Sequence, residues 1–75
     1  MRVILSRHAR RRLMELRQEG ITLEDVVDAA RRLPGRLPTA TRFRGFISVG
    51  GRVFDLVAKD TVAGRLVITI IGQKN

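Results

Sequence analysis

The chain has 75 residues, which suffices for one small domain and not for two. It has no cysteine and one histidine, so a disulfide framework and a thiolate metal site are excluded, and we expect no metal ion or cofactor. Its 15 basic and 7 acidic residues give a net charge of +8, which favours a polyanionic partner: RNA, DNA or an acidic protein. Since the sequence has no long apolar stretch, we expect a cytoplasmic protein that makes no contact with membranes.

The first predicted elements are a short strand and a helix. Residues 3 to 5 are apolar and suit a strand, and Ser6 is a good N-cap for a helix over residues 7 to 19. Spacings of four and three place one set of residues on a common face of this helix. That face should be buried, and it consists of Ala9, Leu13 and Leu16.

A second helix is predicted to follow Gly20, which ends the first. Thr22 is a good N-cap, and Asp25 stands where a capping box needs an acidic side chain. Pro34 and Gly35 should end this helix. Its buried face is predicted to hold Leu23, Val26, Val27, Ala30 and Leu33.

The rest of the chain is predicted to form a sheet. Gly50 and Gly51 separate two apolar-rich runs, as in a hairpin with a two-residue turn. Folding the chain about this turn pairs Ile47 with Phe54 and defines two faces. The face expected to pack on the helices carries Phe43, Ile47, Val49, Phe54, Leu56 and Ala58. The half-exposed face, where a ligand could lie, carries Arg42, Arg44, Phe46, Ser48, Val53, Asp55, Val57 and Lys59.

The last strand covers residues 65 to 71 and is apolar on both faces apart from Thr69, as expected of a central strand. The order strand, helix, helix, strand, strand, strand predicts a single α+β domain in which helices cover one side of a sheet. The last three strands should form an antiparallel meander. The first strand adds a fourth if it pairs beside the last.

His8 is the candidate catalytic residue. A spacing of four places it beside Arg12 on one edge of the first helix, next to the apolar face. A half-buried histidine that reaches solvent can act as acid or base near neutral pH. Cleavage of RNA by its 2′-hydroxyl needs such a group and cations that hold the phosphate, a role that suits Arg44 and Lys59. The alternative is structural, with His8 bonded to a backbone group and Arg12 paired with Glu15.

Four further arginines are expected on the solvent side of the first helix: Arg7, Arg10, Arg11 and Arg17. They could meet phosphates electrostatically, or form only a solvated face. Phe46 is the one aromatic residue expected on the open side of the sheet, so base stacking has few platforms. Thr69 is either a strand residue with a locally bonded hydroxyl or a phosphate contact.

Three short motifs stand in the order Ser6-x-His8-Ala9-x-x-Arg12-Leu13, Gly20-Ile21-Thr22 and Val67-Ile68-Thr69. Together they resemble a family of small domains in the RelE/ParE-like toxin superfamily, which has the barnase-like RNase fold. The resemblance spans residues 6 to 71. The segment LMELRQE is longer than its counterpart in the family, so we expect a first helix extended by about one turn. For the same reason, the resemblance gives Arg17 no role.

The resemblance implies a toxin-like endoribonuclease that works without a metal ion and is covered by an acidic antitoxin protein. It assigns His8 and Arg12 to the helix motif and Thr69 to the motif of the last strand. Strand geometry adds Arg44, so the candidate catalytic residues are His8, Arg12 and Arg44. The candidate RNA-binding residues are Arg11, Arg42, Lys59 and Thr69.

Two other functions stay open at this point. The first is a non-catalytic basic module that binds nucleic acid or an acidic partner protein. The second is a ParE-like inhibitor of a protein target such as gyrase, with no nuclease activity. A homodimer formed through a sheet edge is compatible with all three functions.

Overall fold

The computed structural model describes residues 1–73, apart from the side chain of Arg17. Seven elements follow one another: β1 (Val3–Leu5), α1 (Arg7–Leu13), a 3-10 turn (Leu16–Gln18), α2 (Leu23–Arg32), β2 (Thr41–Ile47), β3 (Val53–Thr61) and β4 (Gly64–Gly72). This confirms the predicted α+β class and the order β-α-α-β-β-β.

The four strands form one mixed sheet in the order β1-β4-β3-β2. β1 runs parallel to β4, while β2, β3 and β4 form the predicted antiparallel meander. The helices cover one face, and the core lies between them and the sheet. Its fully buried members include Ala9, Val26, Ala30, Phe54, Leu56, Val67 and Ile70. Each large apolar side chain in this set stabilises the fold by roughly 1.5–3 kcal/mol.

The first helix is shorter than predicted. It ends at Leu13, and the chain is already extended at Glu15, with φ −81° and ψ 149°. In an uninterrupted helix Gln18 would lie opposite Ala9, yet both side chains are buried, so the chain has to turn between them. The segment that was expected to lengthen the helix therefore forms a separate 3-10 turn, and Leu16 is 86 % exposed instead of buried.

The second helix begins as predicted. The Thr22 Oγ1 accepts a hydrogen bond from the Asp25 N–H (3.1 Å), and the Thr22 N–H donates to the Asp25 carboxylate (2.8 Å), which completes the capping box. The buried face is rotated from the predicted one: Leu23 is exposed, whereas Asp25 and Ala29 are buried. Asp25 is drawn inward because a neighbouring loop uses its second carboxylate oxygen.

A buried arginine of β4, which the sequence did not predict, contacts the end of the second helix. The Arg65 guanidinium, on β4, donates to the carbonyls of Ala30, Leu33 and Gly35 at 2.8–2.9 Å. It also donates to both carboxylate oxygens of Asp60, at 2.8 and 3.1 Å. The hydrogen bond that Arg65 donates to Asp60 raises the pKa of Arg65, although burial acts in the opposite direction. Arg65 thus supplies the donors that carbonyls at a helix end need.

The predicted pairing of β2 with β3 was wrong by one residue near the turn. Phe46, not Ile47, lies opposite Phe54, and the register shifts between Phe43 and Phe46. Gly45, with φ 84°, is a residue of this bulge. A one-residue shift moves a side chain to the other face, so Phe46 packs in the core with its ring centre 5.7 Å from that of Phe54. Ile47 is consequently exposed.

The connection between β2 and β3 is longer than a two-residue turn. The Ser48 N–H donates to the Arg52 carbonyl (2.8 Å), which closes a loop over the two glycines. The Ser48 Oγ donates to the Gly20 carbonyl, and the Val49 N–H donates to Asp25 Oδ1 (3.0 Å). These bonds tie the loop to the start of α2, so Val49 is 98 % exposed and does not pack on the helices as predicted.

Candidate functional site

The site begins at the outer edge of β4, beyond the point where β1 ends. β1 pairs with β4 only as far as Val67, and no other strand within residues 1–73 pairs with that edge further along. α1 follows β1 directly and lies against this edge. The carbonyls exposed there need hydrogen-bond donors, and α1 provides them from its side chains.

Two residues of the helix motif donate to this edge. Ser6 donates its N–H to the Val67 carbonyl (2.9 Å) and its Oγ to the Ile68 carbonyl (2.7 Å). The Ser6 Oγ also caps α1 by accepting from the Ala9 N–H. Arg12 donates its Nε to the Ile70 carbonyl (2.9 Å). The Arg12 side chain is therefore held by β4 and not by the ion pair with Glu15 that the structural alternative predicted.

His8 lies between these two donors and reaches the same strand. Its Nε2 is 2.9 Å from the Thr69 Oγ1, so these two atoms share a hydrogen bond whose donor depends on the tautomer. The imidazole is exposed, which leaves Nδ1 able to exchange protons with a bound molecule. We call Ser6, His8 and Arg12 the α1 clamp, because their side chains bond three consecutive residues of β4, from Ile68 to Ile70.

An irregularity in β4 brings Thr69 to His8. In a regular strand Thr69 would share a face with Val67, which is in the core. Instead, Val57 pairs with Thr69 and Ala58 pairs with Val67, so Ile68 is an extra residue. Thr69 consequently lies on the face of the sheet opposite the helices, which we call the open face, while Ile70 returns to the core.

A second polar cluster surrounds Asp55 on the open face. Arg42 donates its Nε (3.1 Å) and Nη2 (2.8 Å) to the Asp55 Oδ2, and Gln73 Nε2 donates to the same oxygen (2.9 Å). The Gly45 N–H donates to Oδ1 (3.1 Å), and Arg44 Nη1 is 4.0 Å from Oδ2. Burial tends to raise the pKa of Asp55, but the hydrogen bonds from Arg42 and Gly45 and the charges of Arg42 and Arg44 lower it below its ordinary value.

The structure does not bring Arg42 or Arg44 to His8. Arg42 pairs with Val57, and Val57 pairs with Thr69, so Arg42 and Thr69 are two strand spacings apart, about 10 Å between backbones. The His8–Thr69 pair and the two arginines therefore stand at opposite ends of one row across the open face. The side chain of Arg44 is 72 % exposed and can meet a ligand there.

The cations nearest to His8 in the chain are on its own helix. Arg11 follows His8 by three residues, which places their Cβ atoms about 5–6 Å apart on the helix surface. Arg7 precedes Arg11 by four residues, so the Cβ atoms of these two arginines are about equally close. Both side chains are exposed. Lys59 lies on the open face, half-buried, and pairs with Leu66. Among the candidate residues, the structure joins His8 with Thr69, and Arg42 with Arg44 through Asp55.

An apolar groove lies between α1, α2 and β1, away from the open face. It is lined by Val3, Leu5, Arg10, Leu13, Met14, Leu23 and Val27. Met14 and Leu23 are largely exposed. Large apolar side chains clustered at the surface mark interaction sites more often than single exposed ones do.

Among residues 1–73, no helix is long and apolar enough to cross a membrane. In the same described part of the chain, no group of three or more His, Asp or Glu side chains is arranged to hold a metal ion. Comparison of the chain with models of protein families, with curated proteins and with solved structures finds no match.

Proposed function

We propose that this protein is a toxin-like endoribonuclease of the cytoplasm that binds RNA on the open face and cleaves it beside His8. The observation that carries the proposal is the exposed imidazole of His8, fixed through Nε2 on Thr69 at the edge of a positively charged face. A histidine held in one orientation with its other nitrogen open to solvent is suited to general acid–base catalysis.

In the proposed reaction, Nδ1 of His8 exchanges a proton with the reacting ribose. As a base it takes the proton of the 2′-hydroxyl, whose oxygen then attacks the adjacent phosphorus. The bond from phosphorus to the 5′-oxygen breaks, a 2′,3′-cyclic phosphate forms, and the leaving 5′-oxygen takes a proton from water. Arg11, exposed and one turn from His8, offers positive charge to the phosphate as negative charge develops in the transition state. Arg12 keeps α1 against β4, because its Nε is bonded to the Ile70 carbonyl.

The remaining candidate cations are proposed to hold phosphates away from the point of cleavage. Arg42 and Arg44 stand about two strand spacings from Thr69. Arg11, in contrast, stands one helical turn from His8, so Arg11 is the better placed to contact the phosphate at the point of cleavage. Lys59 is half-buried on the same face. We therefore assign Arg44 to substrate binding, in place of the catalytic role expected for it.

The test of this proposal compares wild-type protein with His8→Ala. Total RNA is incubated with each, and the products are separated by size, while binding is measured on a short RNA. We expect His8→Ala to abolish cleavage and to leave RNA binding within about threefold, since an exposed side chain contributes little affinity by itself. Cleavage at an unchanged rate in the variant removes the catalytic role of His8.

A second candidate is a non-catalytic basic module that binds nucleic acid. The observation in its favour is the α1 clamp, in which Ser6, His8 and Arg12 all bond β4. Because these bonds attach α1 to the sheet, the residues of the helix motif have a structural role even in a protein that is not an enzyme. In that case Arg10→Gln and Arg11→Gln would weaken binding to every nucleic acid and reduce its salt dependence. His8→Ala would change neither binding nor the fate of the RNA.

We also propose an acidic, antitoxin-like partner protein whose amphipathic helix lies in the apolar groove. Charge complementarity supports this occupant, because Arg10 lines the groove and the chain carries a net charge of +8. A synthetic helical peptide with leucine on one side and glutamate on the other should bind the wild type and not Leu23→Glu. Equal binding to Leu23→Glu, or no binding to the wild type, would rule the groove out as this site.

A further inference from the structure

We infer that the open face recognises the sugar–phosphate backbone of RNA and not its bases, so that binding and cleavage are independent of base identity. The inference rests on the proposed RNA-directed function and goes beyond it by defining the substrate class. Proteins that select bases in single-stranded RNA use aromatic platforms for stacking and polar side chains for base edges. In the part of the chain that the structure describes, the phenylalanine rings pack in the core and not on the open face, and Asp55 and Thr69 on that face are bonded within the protein.

The aromatic rings are all committed to the core side of the sheet. Phe54 is 1 % exposed, and the ring of Phe46 lies against it. Phe43 packs with Phe46 around the small cluster of Leu37 and Ala58. The chain contains no tyrosine or tryptophan, so His8 is its one other ring that could contact a base. The bulge at Gly45 thus removes Phe46 from the open face and with it the expected stacking platform.

Within residues 1–73, the neutral and acidic polar side chains named on the open face are already bonded within the protein. Asp55 accepts hydrogen bonds from Arg42, Gly45 and Gln73. The Thr69 hydroxyl is bonded to His8. Contacts to base edges carry sequence information, whereas contacts to phosphates set only position and affinity. What the face still offers to a ligand is positive charge.

Cations lie on two strands of the open face and on the helix beside its edge. Arg11 stands on α1 beside His8, Lys59 lies on β3, and Arg44 stands at the bulge of β2. Each phosphate that such a cation neutralises adds about −0.7 to the slope of log K against log salt for a single strand. Contacts from these three residues therefore predict a slope of about −2.

To keep the His8 ring and its bond to Thr69 in place, the experiment uses 2′-O-methylated RNA, which cannot be cleaved through its 2′-oxygen, and the wild-type protein. Oligonucleotides of about 12 nucleotides of A, of C and of U are titrated with it while salt is raised, and fluorescence anisotropy reports binding. We expect three dissociation constants within about threefold of one another and a slope near −2 for each. Arg44→Gln and Lys59→Gln should weaken binding to all three by the same factor and reduce the slope by about 0.7 each.

The outcomes separate this inference from the proposed nuclease function. A preference of more than about tenfold for one base overturns backbone recognition and leaves RNA cleavage standing, because a good base contact gives discrimination of about that size. Equal binding together with no cleavage by the wild type removes the nuclease and retains backbone recognition. No binding to any of the three oligonucleotides overturns both.

Discussion

His8 and Thr69 are bonded 2.9 Å apart, side chain to side chain, although 61 positions separate them in the chain. The bond depends on the extra residue at Ile68, which turns Thr69 towards the open face. Ser6 and Arg12 bond the backbone on either side of the same point. The residues that suggest chemistry in the sequence therefore also hold the first helix to the last strand, and experiments can separate the two roles.

Replacing Thr69 with valine tests whether the orientation of His8 matters for activity. Valine keeps the branched shape that suits a strand and removes the Oγ1 that holds the imidazole. We expect the rate of RNA cleavage to fall by roughly tenfold, as for other losses of a positioning hydrogen bond, because His8 samples other orientations. Cleavage of a labelled RNA measures the rate, and circular dichroism checks the fold.

Thr69→Ser is the matched control, because it retains the hydroxyl that bonds His8. Its rate should stay close to that of the wild type. If Thr69→Val cleaves RNA as fast as Thr69→Ser does, the hydrogen bond to His8 has no part in the activity.

Arg12→Gln tests the structural part of the α1 clamp. Arg12 is half-buried and its Nε donates to the Ile70 carbonyl, so removing the guanidinium leaves that carbonyl without its donor. We expect the free energy of unfolding to fall by about 1 kcal/mol, measured by urea denaturation. Arg11→Gln, at the exposed neighbouring position, should change it by less than about 0.5 kcal/mol. Equal effects of the two substitutions would show that the clamp contributes nothing to stability.

Local signals in the sequence predicted the helix starts and the order of the elements. Ser6 and Thr22 each accept the capping hydrogen bond expected of them, and β1 occupies the predicted residues. These features depend on neighbours within four positions, so the sequence alone specifies them. The motif residues His8 and Thr69 were also identified from the sequence, although their mutual hydrogen bond was not.

The features that the sequence did not predict depend on distant parts of the chain. The bulges at Gly45 and Ile68 decide which face Phe46 and Thr69 occupy, and each is fixed by pairing with β3. No role was predicted for Arg65, whose burial is explained by the three carbonyls at the end of α2 and by Asp60. A shift of one residue in pairing leaves almost no trace in a sequence pattern.

Gln18 offers a way to stabilise the protein. Its side chain is 1 % exposed, and neither Oε1 nor Nε2 has a hydrogen-bond partner in the part of the chain that the structure describes. Replacing an unbonded buried amide with an apolar side chain of similar size removes a desolvation cost of about 1–3 kcal/mol. We expect Gln18→Leu to raise the free energy of unfolding by about 1 kcal/mol in urea denaturation. Gln18→Glu should lower it, and a destabilised Gln18→Leu would mean that the amide is needed.

Substitutions at Gly45 test whether the bulge depends on its backbone conformation. Gly45 has φ 84°, and no atom lies within 4 Å of the position that a Cβ would take, so conformation alone opposes a side chain. Asparagine tolerates this region better than other residues, whereas a β-branched residue does not. Gly45→Val should therefore destabilise the protein by about 1–2 kcal/mol more than Gly45→Asn, measured by thermal unfolding. Equal stability of the two variants would contradict the assigned bulge.

The ion pair between Asp60 and Arg65 should make stability depend on pH in the acid range. The hydrogen bond from Arg65, followed by one from the Leu37 N–H, lowers the pKa of Asp60 from 3.8 to about 2. Because the folded pKa lies below the unfolded one, the contribution of Asp60 is fully present above pH ~4 and is lost as the pH falls towards 2. Asp60→Asn should therefore melt below the wild type at pH 7, and the gap should close between pH ~4 and ~2.

Thermal unfolding at a series of pH values measures this gap. Asp28→Asn is the control, because it removes a carboxylate from the exposed side of α2 and leaves the pair with Arg65 in place. Its melting temperature should follow that of the wild type across the acid range. A gap between Asp60→Asn and the wild type that stays constant down to pH ~2 would show that the ion pair does not shift the titration of Asp60.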